Sequence, residues 1–258
     1  MKEKLKHNRI IVFFYFGIKS ILTVIKRKLN GVSKEYLALK DTHLGEKCFI
    51  VGTGPSLGLE DLEMINGQYS FSMNSIFKLF DKTTWKPNCY AISDPNVYKS
   101  MRKDVDDATI QTKLFAPEVN YKGENGIIFP TNNRNYYLSQ CKGSKTMTIG
   151  LSKKMDKYIN NGPSVVFCLI QIAIYMGFKQ IYLLGIDCNY KATQTHSSLT
   201  KYEYARKISL NAGELMIKAY ESIVDDLNEY GVNVFNCTRG GMLEVFPRIE
   251  LEDAVSKN

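Results

Sequence analysis

The sequence lacks several signals that would decide its class at once. Its six cysteines, Cys48, Cys89, Cys141, Cys168, Cys188 and Cys237, form no Cys-x-x-Cys pair. That spacing argues against a zinc ribbon or a disulfide framework and suits reduced, buried thiols. No apolar run reaches the length of about 20 residues that a bilayer span needs. The longest, 10–25, carries Lys19 near its middle and is followed by no small-residue cleavage site, so a spanning helix and a signal peptide are both disfavoured. Internal repeats and low-complexity stretches are absent. Acidic charge is scarce at one end only. Residues 1–40 hold ten Lys/Arg and two Glu, whereas 41–258 hold 24 basic and 24 acidic residues. The net charge of +8 therefore belongs to an N-terminal segment. A neutral globular part argues against nucleic acid as a partner.

What is present divides into two parts. Residues 1–45 read as a basic, apolar arm, with Ile10 to Ile25 flanked by Lys4, Lys6 and Arg9 before and Lys26, Arg27 and Lys28 after. Such a helix suits the interface of an anionic membrane, which would be met through residues 1–30; packing on the protein's own core is the other reading. Residues 30–45 read as a polar connector. Residues 46–258 form the globular domain; the apolar share of the whole chain, 44%, is ordinary.

The domain is organised around Lys47-Cys48-Phe49-Ile50-Val51-Gly52-Thr53-Gly54-Pro55-Ser56-Leu57. A short apolar run ending in a glycine turn predicts a central parallel strand feeding a helix. Pro55 suits the first helical turn. Amides at a helix start are suited to phosphate, so Gly52, Thr53, Gly54, Pro55 and Ser56 are candidate nucleotide contacts; an unliganded tight turn is the plain alternative. Further strands are expected at 69–74, 88–93, 113–116, 126–129, 180–185 and 232–236. A buried helix is expected over Val165–Tyr175, begun by Ser164 and closed by Gly177. Alternating helices and strands predict an α/β, doubly wound, mostly parallel sheet of Rossmann-like type.

Such sheets bind ligands at the C-terminal ends of their strands, and this edge supplies the other candidates. Asn74 follows the second strand at the distance where a ribose-binding group is expected. Asp94, before Pro95, and Asp187, after Gly185-Ile186, are carboxylates at that edge. Ser164 stands at the start of the buried helix. Arg239, beside Gly240 and Gly241, has the fork that matches a phosphate. His196 lies in a polar stretch and is suited to proton transfer near neutral pH. Each of these has a plain structural alternative as a turn or surface residue. Residues 132–137 read as a substrate-facing insertion or a surface loop.

In their order, Gly52-Thr53-Gly54-Pro55-Ser56-Leu57, Asn74, Ser93-Asp94-Pro95, Gly162-Pro163-Ser164 and the block Gly177 to Asp187 resemble the archaeal 6-hydroxymethylpterin diphosphokinases of the MptE-like type. They also resemble the family 42 sialyltransferases of bacteria, and the resemblance spans about residues 46–254. It implies a transferase holding a nucleotide on the first glycine turn. In the sialyltransferases three asparagines contact the donor; here those places hold Thr53, Asn74 and Asp94. A histidine base corresponds in role to His196. In the diphosphokinases Asp94 and Asp187 would be magnesium partners. Three functions are expected to compete. The first is a membrane-associated glycosyltransferase using a CMP- or UDP-sugar on a glycan or lipid-linked acceptor, in surface polysaccharide biosynthesis at the inner face of the membrane. The second is an ATP- and magnesium-dependent pterin diphosphokinase. The third is a non-catalytic nucleotide-binding module.

Overall fold

The computed structural model describes residues 10, 11, 13–15, 17, 18, 32–139, 148–190 and 211–256. Seven strands form the central sheet: β1 (Lys47–Val51), β2 (Ser70–Met73), β3 (Cys89–Ile92), β4 (Thr112–Phe115), β5 (Ile127–Ile128), β8 (Gln180–Leu184) and β9 (Asn233–Asn236). Their order is β5-β4-β3-β2-β1-β8-β9, and every pairing is parallel. β2 and β3 are buried along their whole length, as is β1 after Lys47 and β8 after Gln180. Helices cover both faces, which is why these strands read as unbroken apolar runs rather than alternating ones.

The chain builds outward from β1 to β5, then returns to the other side of β1 with β8. The strand order therefore reverses between β1 and β8, and a crevice opens there beyond the strand ends. On the return it forms a two-stranded parallel pair, β6 (Thr131–Asn132) and β7 (Ile159–Asn160). Residues 132–137 thus hold the end of a short strand and the start of helix α1 (Arg134–Ser139), not a plain surface loop.

Helix α2 (Val165–Met176) is buried at all twelve positions and links the two sheets. It ends where Gly177 adopts φ +100, the left-handed conformation that a side chain would disfavour. Gln171 on this helix is fully buried and fully bonded. Its Oε1 accepts from the amides of Ser152 and Asn160, and its Nε2 donates to the carbonyls of Asn160 and Phe167.

The expected connector at 30–45 is ordered against the domain from Val32 on. Tyr36 is buried, stacks on Tyr175 at 4.9 Å and donates to the Met155 carbonyl at 2.9 Å. Asp41, His43 and Gly45 donate their amides to Tyr175, Met176 and Gly177 at the end of α2. The described cysteines are buried and form no disulfide with one another, and burial pushes the thiols of Cys168 and Cys188 up to about 12. They are poor nucleophiles. Among the described residues no helix is long and apolar enough to cross a membrane.

Gln171→Leu removes the side-chain partner of two buried amides and two carbonyls. It should lower stability by about 2–4 kcal/mol, measured as a shift of the urea midpoint.

Candidate active site

The loops leaving β1 and β8 are locked together backbone to backbone. The amide of Gly52 donates to the Leu184 carbonyl at 2.7 Å, and that of Gly54 to the Gly185 carbonyl at 3.0 Å. A Cβ on Gly54 would stand 2.6 Å from the Gly185 oxygen and would overlap a carboxylate oxygen of Asp187. Glycine is required here for close approach, as the sequence suggested, but what approaches is the protein's own second loop.

This contact engages part of the turn expected to cradle a phosphate. The amides of Gly52 and Gly54 are spent on β8 and its loop, that of Leu57 on the Gly54 carbonyl, and that of Gly58 on Asp61 Oδ2 at 2.8 Å. The helix over Leu59–Met64 starts two residues after Leu57, with Gly58 as its N-cap. Pro55 and Ser56 lie in a turn before it, not in its first turn.

Side chains join the two loops. Ser56 Oγ donates to Asp187 Oδ2 at 2.9 Å. Asp187 is only 8% exposed, and burial raises its carboxyl above the usual range despite the pull of that hydrogen bond. A third loop, after β9, is tied in as well. Thr238 Oγ1 accepts from the Ile186 amide at 3.0 Å. Arg239 forks onto Asp61 at 2.6 and 2.7 Å and reaches the Ser56 carbonyl at 3.2 Å. Asp61 is 1% exposed, so the guanidinium compensates a buried carboxylate. Arg248 braces the same loop through the carbonyls of Thr238 and Gly240.

Gly52, Thr53, Gly54, Pro55, Ser56, Asp187 and Arg239 are therefore gathered at one crevice. Thr53 is buried, whereas Gly54, Pro55 and Ser56 are half-buried and reachable from solvent. Asn74, at the end of β2, flanks them on the neighbouring strand. It holds φ +51, its carbonyl accepts from Tyr90 Oη at 2.8 Å, and it is half-buried. Among the described residues nothing bonds its side-chain amide. Ser164 caps the start of α2 by position but not by its hydroxyl, which pairs with Tyr220 Oη at 3.1 Å.

Asp94 stands apart. Its Oδ1 accepts from the amides of Asn96 and Val97, capping a short helix. β3 lies three strand spacings from β8, roughly 14 Å, so the strands that lead to Asp94 and Asp187 are set apart along the edge. Among the described residues no group of three His, Cys, Asp or Glu side chains gathers to hold a metal. His196 lies outside the described residues. The partner that the sequence does not announce is Asp61; the Gly58-x-x-Asp61 spacing of a capping box is its one local signal.

A parallel sheet with clasped loops at its switch point defines a Rossmann-like α/β protein. The family model described as 6-hydroxymethylpterin diphosphokinase MptE-like matches residues 19–193, and the chain belongs to that family. Among solved structures it is similar to the MAf glycosyltransferase from Magnetospirillum magneticum AMB-1, at 16% identity and a TM-score of 0.52. The match covers 84% of this chain and 35% of that one, so this chain spans about a third of that protein's length. The sialyltransferase CstII from Campylobacter jejuni, in complex with cytidine-5'-monophosphate, matches at 14% identity and a TM-score of 0.47, covering 80% of this chain and 85% of that one. At 16% identity the likeness to the MAf glycosyltransferase is one of fold alone. No curated protein matches the sequence.

Arg239→Ala leaves Asp61 buried without its cation. Because the guanidinium is half-exposed and water can replace part of it, the cost should be about 1–3 kcal/mol by urea unfolding. Lysine at 239 should recover only part of this, since it cannot fork. For Asp187 the carboxyl is raised on folding, so its stabilising contribution is present below the unfolded value and is lost as pH rises through the folded one. Asp187→Asn should therefore melt higher than wild type at neutral pH, and the difference should shrink in melts taken toward about pH 4.

Proposed function

We propose that the protein is a nucleotide-sugar-dependent glycosyltransferase, sialyltransferase-like, of bacterial surface polysaccharide or glycan biosynthesis. It works peripherally at the inner face of the membrane on a glycan or lipid-linked acceptor. One observation carries this reading: the Asn74 side-chain amide, on a residue held in a left-handed conformation beside the glycine turn, has no bond among the described residues, while the amides of Gly52 and Gly54 are bonded within the protein. A residue kept in that conformation with an idle amide at a ligand edge is suited to a ligand contact. Asn74 is also the one donor position at which this sequence matches the sialyltransferase pattern.

On this reading a CMP- or UDP-sugar lies along the half-buried Gly54–Ser56 surface, with its sugar or base on Asn74. Thr53 and Ser164 line the same edge. Asp187 orients the donor through the Ser56 hydroxyl. His196 takes the proton of the acceptor hydroxyl as that oxygen bonds the anomeric carbon and the nucleotide leaves with the bond's electrons. Arg239 shapes the turn through Asp61 rather than meeting phosphate. Asp94 acts on the crevice only through the helix it caps.

The second reading, a pterin diphosphokinase using ATP and magnesium, is favoured by the description of the family to which the chain belongs. Its magnesium would need more than Asp187, and the described residues do not assemble that donor set.

Thermal-shift measurements separate the two. Stabilisation by CMP, UDP or their sugars, lost in Asn74→Ala, is expected. Stabilisation only by ATP with magnesium and a pterin would overturn the proposal in favour of the second reading. His196→Ala should keep the nucleotide-dependent shift and lose transfer; unchanged turnover would remove His196 from the mechanism.

A further inference from the structure

The N-terminal segment does two things at once. Its described residues between Ile10 and Ile18 are helical. Phe13 packs toward the domain: the guanidinium carbon of Arg134 lies 5.1 Å from its ring centroid. Arg134 Nε is buried with no hydrogen-bond partner among the described residues, so the ring face is the contact the structure gives this cation. Arg134 opens helix α1 directly after β6, which pins the segment beside the β6–β7 pair. Ile10, Phe14 and Ile18 recur every four residues and so share one stripe of the helix. They are 68%, 63% and 57% exposed.

We infer that this stripe is the contact with an anionic lipid surface. The inference rests on the peripheral-membrane part of the function proposed above and names the face and the lipid class it uses. Charge selects the occupant. The sequence around the stripe, residues 1–40, holds ten Lys/Arg against two Glu. An anionic bilayer complements that charge and accepts apolar side chains beneath its headgroups. A second copy of the same basic segment would be repelled.

The test is co-sedimentation of the full chain with vesicles, without donor or acceptor, so its result is independent of transfer activity. Binding to vesicles of mixed phosphatidylcholine and phosphatidylglycerol should be at least about tenfold tighter than to phosphatidylcholine alone, and should weaken with salt. The double variant Phe14→Glu with Ile18→Glu should lose it. The control Leu44→Glu, at an exposed leucine elsewhere, should bind as wild type. Should the acidic pair misfold by circular dichroism, Phe14→Ser with Ile18→Ser should show the same loss. Equal binding to neutral vesicles, undiminished binding by a folded double variant, or no vesicle binding at all would overturn the inference. A wild-type dimer that the double variant makes monomeric, without lipid binding, would assign the stripe to a second copy instead.

Discussion

The structure depends on one contact between main chains. Where β1 and β8 end, the Gly52–Gly54 and Leu184–Gly185 segments bond to each other through amides and carbonyls. Side chains are excluded from the contact because no room exists for a Cβ at either Gly52 or Gly54. Main-chain hydrogen bonds of this kind fix distance and direction more tightly than side-chain pairs, since few rotatable bonds separate the partners from the sheet. Everything else at the crevice hangs from this joint: Ser56 reaches Asp187 across it, and the loop after β9 closes over it through Thr238.

Two carboxylates near the joint have opposite fates. Asp61 is buried but answered by a forked guanidinium, and it spends its second acceptor capacity on the Gly58 amide. It is a structural anion. Asp187 is buried with the Ser56 hydroxyl and backbone amides as partners and no cation among the described residues, and burial outweighs those hydrogen bonds. Groups held in that condition at a ligand edge are where chemistry is expected, because the fold gains nothing from keeping them charged. The contrast separates two acids on neighbouring loops by what surrounds each of them.

Much of the fold was legible in the sequence. The apolar runs at β1, β2, β3, β4, β8 and β9, each stopped by glycine or a polar turn, and the helix between Ser164 and Gly177, follow from local pattern alone. The two-residue strands β6 and β7 did not, because strands that short carry no periodicity. The packing of Tyr36 against Tyr175 was hidden for another reason: the surrounding residues are polar, and only the tertiary partner makes the ring a core residue. At the site, the gathering of Gly54, Ser56, Asp187 and Arg239 at one edge was readable from the rule that parallel strands present their ends together. The spending of the turn's amides, and the pairing of Arg239 with Asp61, were not, since both partners lie far apart in the chain. Asp94 shares the edge with Asp187 but not its neighbourhood. Strand order, which sets that distance, is not written in any single segment.

The sheet's central pairing also joins remote parts of the chain: Lys47 lies opposite Gln180, and Val51 opposite Leu184. During synthesis, then, β1 leaves the ribosome long before its neighbour exists. Its open apolar edge must wait while β2 to β7 are made, which is the situation in which high contact order slows folding and invites chaperone capture. The crevice consequently takes shape only after β8 has been made, and a truncated product ending before β8 would carry half of it as a sticky, unmatched seam.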